Sequence, residues 1–339
     1  MNPNILVNLS VIDPSGNMTQ NMFPAAMDAV TKNVYKLGFP TLLCGNFITS
    51  IGPVSATECP IKQGRVAYSE YQEAIACCKK NFIESSWSSY STPLVGKMMG
   101  AWYLPFIYLD GYIDMYGREF LTTAVHELKQ GKVNVELCKH LRWFTGQCRN
   151  TWGENKCTDD EVSSDDIPNM IKNYTSLMMF SFSERLSEVL KGVDFDRQAY
   201  ALTSVSMGDE NYLLQFTDAL VVSRSQWEMS TEQSEAIRMF AEFFTDTNFR
   251  YKVAYGFDLD KPQVRYLLMP NRDFYEKTPA SYDPIYKDAF PFLQEAVAAP
   301  GLSQQELSAM ATLLKNQCIN PPVNQMLNWP WIVLRNTWP

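Results

Sequence analysis

The stretch Lys36-Leu-Gly-Phe-Pro-Thr-Leu-Leu-Cys-Gly-Asn-Phe-Ile-Thr49 decides how the rest of the chain is read. An apolar, strand-type run opens on a Gly-Phe-Pro turn and closes on Gly45-Asn46, residues that punctuate structure. Cys44 stands at the C-terminal end of that run. Thiolates are the strongest nucleophiles among side chains, and a strand end beside a turn presents one to a cleft. Free cysteines are mostly small buried apolar groups, so Cys44 becomes a catalytic candidate only through its company further along.

The 339 residues suffice for two ordinary domains or one large one, and a hydrophobic fraction of 46 % with 13 % aromatics supplies ample core. The net charge of −8 leaves no basic footprint for nucleic acid or anionic lipid and is compatible with a cationic small ligand. The two histidines, His126 and His140, are far apart with no second ligand type at working spacing, so no metal site is expected. No cofactor is expected either. The longest apolar stretch, Thr92 to Gly117, is interrupted by Lys97, Pro105, Asp110 and Asp114, which argues against a membrane span. Its rings, Trp102, Tyr103, Phe106, Tyr108, Tyr112 and Tyr116, suit buried helix or, in a minority of proteins, a ligand wall.

None of the eight cysteines forms a CxxC pair, which removes zinc-ribbon and thioredoxin readings. Cys148 and Cys157 flank a polar stretch and are expected to bond in an oxidising compartment. Asn-x-Ser/Thr sequons at Asn8, Asn17 and Asn173 point weakly the same way. The first ten residues lack the basic and apolar regions of a signal peptide. A secretory-pathway origin is nonetheless the expectation.

Periodicity predicts helices over 22–37, 70–82, 119–130, 134–145 and 165–179, and strands over 198–205 and 213–223. Capping boxes at Ser230/Gln233 and Ser303/Glu306 open two more helices. Residues 151–164 read as acidic loop, and a tail with Trp329, Trp331 and Trp338 as a segment able to pack on the body. Short strands alternating with helices indicate an α/β fold with a parallel or mixed sheet. No GxGxxG, P-loop or GxSxG is present.

Two carboxylates join Cys44. Glu184 follows the run Leu177-Met-Met-Phe-Ser-Phe182-Ser183 and precedes a helical pattern, a strand–helix junction of the kind where α/β proteins place working groups. Asp218 interrupts the apolar run Gln215-Phe-Thr-Asp-Ala-Leu-Val-Val222. Taken singly, Glu184 is a surface or helix-start charge and Asp218 a structural carboxylate.

Together, at these spacings, they resemble thiaminase I (thiamine pyridinylase). Gly38-Phe-Pro-Thr-Leu-Leu-Cys-Gly-Asn46 is similar to that family's Gly-x-Pro-x-x-Leu-Cys-x-Asn. Phe182-Ser-Glu184 is similar to its Tyr-Ser-Glu, and Phe216-Thr-Asp-Ala-Leu-Val-Val-Ser223 to its Tyr-Ser-Asp-x-Val-x-Val. Tyr266-Leu-Leu-Met-Pro270 and Asp283-Pro-Ile-Tyr286 are similar to two later stretches in the same order. The similarity runs from about Asn21 to about Gln317, the cysteine segment being the most specific. Phe182 departs from the family's tyrosine, losing one hydroxyl.

The resemblance implies a two-lobed type II periplasmic-binding-protein-like fold. One βαβ unit needs about 30 residues or more, and only 43 residues precede Cys44. The first βα units of lobe one are therefore expected to be missing. On this reading residues 1–45 are the remnant of lobe one and the first crossing, 46–210 are lobe two, and 211–339 return to lobe one with the C-terminal helices. The implied activity transfers the pyrimidinylmethyl group of thiamine to an amine or thiol nucleophile. Cys44 is the implied covalent nucleophile and Glu184 its base, with Asp218 on the aminopyrimidine. Phe182, Phe47 and Tyr212 are the ring-stacking candidates. A monomer is expected, whose partners are thiamine and a nucleophilic co-substrate. The alternatives are a non-catalytic thiamine- or solute-binding protein of the same fold, inactive through truncation, and a sugar- or amino-acid-binding protein.

Overall fold

The computed structural model describes residues 4–51, 59, 66–84, 91–149, 156–157, 166–173, 175–191, 200–204 and 207–321. The Trp-rich tail, most of the acidic stretch 151–164 and the ends of the strand expected over 198–205 lie outside the described residues. Strands run in chain order as β1 (Thr31–Lys32), β2 (Tyr35–Lys36), β3 (Phe39–Cys44), β4 (Phe47–Ile51), β5 (Thr92–Gly96), β6 (Ser176–Ser181), β7 (Tyr200–Ser204), β8 (Leu214–Leu220) and β9 (Val297–Ala298).

They form a small hairpin and two sheets. The first sheet has the order β3-β8-β9, with β3 antiparallel and β9 parallel to β8. The second has the order β5-β6-β4-β7, with β5 parallel to β6 and both β6 and β7 antiparallel to β4. The fold is mixed α/β. Among the described residues, no strand before β3 joins the first sheet. Residues 4–30 supply the helices Leu9–Ile12 and Pro24–Val30 and two bridges, Leu6 to Ser223 and Met22 to Asn271.

The second sheet is covered on both faces, which explains its unbroken apolar runs such as Leu177-Met-Met-Phe180. Ile48, Leu94, Met178 and Phe180 face one cluster with the helices Tyr68–Cys78, Leu104–Tyr116 and Val135–Gly146. Their neighbours Phe47, Val95 and Met179, together with Leu202, face another with Phe274, Tyr286 and Phe292. Alternation along each strand sends successive side chains to opposite faces.

The chain passes from the first sheet to the second between Cys44 and Phe47 and returns between Ser204 and Leu214. The two crossings touch. A Cβ on Gly45 would lie 2.6 Å from Cδ1 of Leu213, so a side chain there would have to displace that leucine. Two buried carboxylates one helical turn apart secure the return. Asp110 accepts from the Leu214 N–H at 2.9 Å. Asp114 accepts from Met207 at 3.2 Å and Tyr212 at 2.8 Å.

Two features differ from the sequence reading. The helix expected over 22–37 stops at Val30, and Thr31–Lys36 folds into the β1–β2 hairpin with Asn33 at φ 57°. Asparagine tolerates that conformation, and Val34, counted in the helical stripe, is 82 % exposed. The helix expected over 165–179 ends at Lys172, and β6 begins at Ser176. The stripe Leu307, Met310 and Leu314 of the C-terminal helix Gln304–Leu314 packs in the cluster around helix Leu104–Tyr116.

Disulfides join Cys59–Cys77, Cys138–Cys318 and Cys148–Cys157, the last being the pair anticipated from spacing. Cys44 and Cys78 are free. Among the described residues no helix is long and apolar enough to cross a membrane.

Candidate active site

The antiparallel register of β3 and β8 sets the centre of the site. Cys44 lies opposite Phe216 and Leu42 opposite Asp218. Directly paired side chains share a face, and a diagonal neighbour two residues on lies about 7–8 Å away. Cys44, Phe216 and Asp218 therefore emerge on one face of the first sheet. Cys44 is half-buried and Asp218 exposed.

Glu184 arrives from the second sheet. β6 ends at Ser181, and Glu184 holds the N-cap position of helix Arg185–Leu190 without capping it by its side chain. Its carboxylate is thus left for other work. The turn is fixed by Ser183, whose buried hydroxyl donates to the Tyr266 carbonyl at 2.8 Å. Tyr266 has φ 52°, a conformation that costs a non-glycine residue of order 1 kcal/mol or more.

Electrostatics tie the three groups together. Burial pushes the Cys44 thiol up to about 12, and the carboxylates of Glu184 and Asp218 add to that rise. Burial also raises the Glu184 carboxyl. Its backbone hydrogen bond and Arg185 pull it down, while Asp218 and Glu188 push it up. The structure thus brings the thiol and both carboxylates into one field. Burial and the two carboxylates keep the thiol protonated, and the raised Glu184 carboxyl holds a proton more readily than a free glutamate does.

Rings wall the site. Phe216 is their hub: its centroid lies 4.5 Å from Phe106, 6.1 Å from Phe182 and 6.5 Å from Trp102. Phe182 also meets Tyr103 at 5.6 Å. Of the stacking candidates, Phe182 is in this wall and half-buried. Phe47 is placed elsewhere. It is fully buried in the second-sheet core, edge-on to Phe292 at 6.1 Å, and offers no open ring face. Tyr212 is half-buried on the return crossing, its backbone held by Asp114.

From sequence, Trp102, Tyr103 and Phe106 read as core with a ligand wall as the minority reading, and the ring of Phe216 carried no role. The ring-rich run after Pro93 was the available signal, but only the long-range register places Phe216 beside it. Among the described residues no group of three or more His, Cys, Asp or Glu side chains could hold a metal ion.

No protein-family model and no curated protein matches the chain by sequence. Solved structures do match by shape. Thiaminase I from Clostridium botulinum, in complex with thiamin, superposes with a TM-score of 0.66 at 15 % identity, over 92 % of this chain and 80 % of that one. The sugar-binding protein MalE from Xanthomonas citri gives 0.64 at 11 % identity, over 92 % and 73 %. A eukaryotic thiaminase-I bound to 3-deazathiamin gives 0.56 at 14 %, over 91 % and 77 %. At such identities the likeness concerns the fold: the chain has the architecture shared by thiaminase I and the MalE-like periplasmic binding proteins.

Proposed function

We propose that the chain is a thiaminase I-like transferase that cleaves thiamine and passes its pyrimidinylmethyl group to an amine or thiol through a covalent adduct on Cys44. The observation that carries this reading is the meeting of one free thiol with two carboxylates, Glu184 and Asp218, at the edge of a wall of rings.

Thiamine joins an aminopyrimidine to a cationic thiazolium through a methylene. The thiol proton passes to Glu184 as sulfur bonds to a ring carbon of the pyrimidine, and the ring takes up a proton at nitrogen. The methylene–thiazolium bond then breaks with its electron pair going to the thiazole nitrogen, which leaves neutral. The acceptor's lone pair adds at the methylene. The sulfur–carbon bond breaks, its electrons return to sulfur, Glu184 gives the thiol back its proton, and the ring and the acceptor's N–H or S–H each release one to solvent. Asp218 holds the exocyclic amino group throughout. Substrate charge assists the first step, because a cation beside Glu184 and Asp218 offsets the field that keeps the thiol protonated.

Three disulfides support an oxidising compartment. A second reading, a non-catalytic solute-binding protein, is favoured by the comparable TM-score with a sugar-binding MalE. Incubation with thiamine and aniline, following free thiazole, separates the two. Release that disappears in Cys44→Ser supports the transferase. Thiamine binding without release overturns it in favour of the binding protein.

A further inference from the structure

We propose that Trp102 is the stacking platform for the ring that leaves thiamine and for the ring that replaces it, and so sets which acceptors the site takes. The inference rests on the transferase reading and adds a residue to it.

Trp102 precedes helix Leu104–Tyr116 at its N-terminal end. It is 48 % exposed, while Phe106 is 2 % exposed and Tyr103, Phe182 and Phe216 are half-buried. It is therefore the most open ring of the wall. It lies near-parallel to Phe216, at an interplanar angle of 30°, and edge-on to Phe106 at 5.9 Å. These two contacts hold the indole while much of it stays open to solvent. Phe216 is the ladder partner of Cys44, so the indole stands one ring away from the thiol.

Indole is the best of the aromatic faces for a cation. The thiazolium is such a cation before the methylene bond breaks and a neutral ring afterwards. A platform of this kind holds the substrate more tightly than the thiazole it releases. The entering acceptor must reach the same methylene carbon, so it occupies the place just vacated. A flat aromatic acceptor keeps the stacking, and one whose ring nitrogen becomes quaternary regains the cation as well. An aliphatic amine regains neither.

The test compares the parent chain with Trp102→Leu and Trp102→Phe, each checked for an unchanged circular dichroism spectrum. Calorimetry gives the affinity for thiamine relative to 3-deazathiamin, whose corresponding ring is uncharged. The expected preference for thiamine shrinks by about 3- to 10-fold in the leucine variant, and phenylalanine restores part of it. In turnover, kcat/KM for aniline relative to ethylamine falls with the same order of variants. Ratios equal to the parent's in both measurements overturn the platform even if thiazole is released normally. A Trp102-dependent binding ratio without any thiazole release sinks the transferase reading and leaves the platform standing. A parent chain that binds neither ligand overturns both.

Discussion

Ser183 donates a 2.8 Å hydrogen bond to the backbone carbonyl of Tyr266, and the next residue along from Ser183 is Glu184. The carboxylate proposed as the base is therefore positioned by a contact spanning from the second sheet to a segment held at positive φ. Ser183→Ala removes the donor and leaves a buried carbonyl short of its partner. The expected loss is about 1 kcal/mol of stability, read from the urea midpoint. A fall in thiazole release at saturating thiamine, with KM little changed, is the sign that Glu184 has lost its place. Unchanged turnover at lowered stability would assign the bond to folding alone.

The chemistry of Cys44 has a direct readout. A thiol pushed up to about 12 is alkylated slowly at neutrality, and the rate by iodoacetamide climbs about tenfold per pH unit from pH ~7 to ~10 without levelling. Glu184→Gln removes one of the charges that raise the thiol, so alkylation of Cys44 speeds up. In the same variant thiazole release falls, because the proton acceptor is gone. The opposite movement of the two rates distinguishes a base from a group that merely tunes the thiol's ionisation.

Glu184 also links the site to stability. Its carboxyl is raised in the folded chain, so the folded state holds the proton more tightly than the unfolded one. That contribution is fully present below the unfolded carboxyl's titration and is lost as pH rises through the folded one. Glutamine never ionises. Glu184→Gln is expected to melt higher than the parent at pH ~8 and level with it below pH ~4. Thermal scans at the two pH values check this; a gain confined to the acid side would contradict the assigned burial.

Asp114 is the stronger anchor of the return crossing. It accepts from both Met207 and Tyr212, and Asp110 from Leu214 alone. Asp114→Ala removes the acceptor of two backbone donors, at an expected cost of about 2–4 kcal/mol. Asp114→Asn keeps one acceptor and should lose less. Denaturant midpoints of the two variants give the order directly.

The disulfide between Cys138 and Cys318 closes 180 residues of sequence and pins the end of the C-terminal helix to helix Val135–Gly146. Cys318→Ser is expected to cost about 2–5 kcal/mol, seen as a lower melting temperature under non-reducing conditions. Thiazole release at low temperature should be little altered.

The local signals were the legible ones. The strand ending in Cys44 and the strand–helix junction at Glu184 are each written in fewer than ten residues of punctuation and apolar run, and the structure places both elements there. The C-terminal helix was visible for the same reason, through its capping box. What sequence left open depends on pairing over long separations. The partnership of Cys44 with Phe216 and the bond from Cys138 to Cys318 have no local mark. Phe47 shows how one residue of offset misleads. Its neighbour Ile48 faces the cluster that includes Phe106, whereas Phe47 turns to the opposite face of the same sheet. The hairpin after Val30 was hidden because Val34 fits a helical stripe yet has no surface to cover it.

The helix Leu104–Tyr116 meets the first sheet at two levels. Near its start Phe106 presses on Phe216, and one and two turns later Asp110 and Asp114 grip the backbone that leads into the same strand. It is therefore a strut tied at three points to one strand and its lead-in. A helix of 13 residues does not stretch, so the ring wall and the return crossing keep a fixed spacing. A substitution that bends the strut would change that spacing without touching either the thiol or the carboxylates.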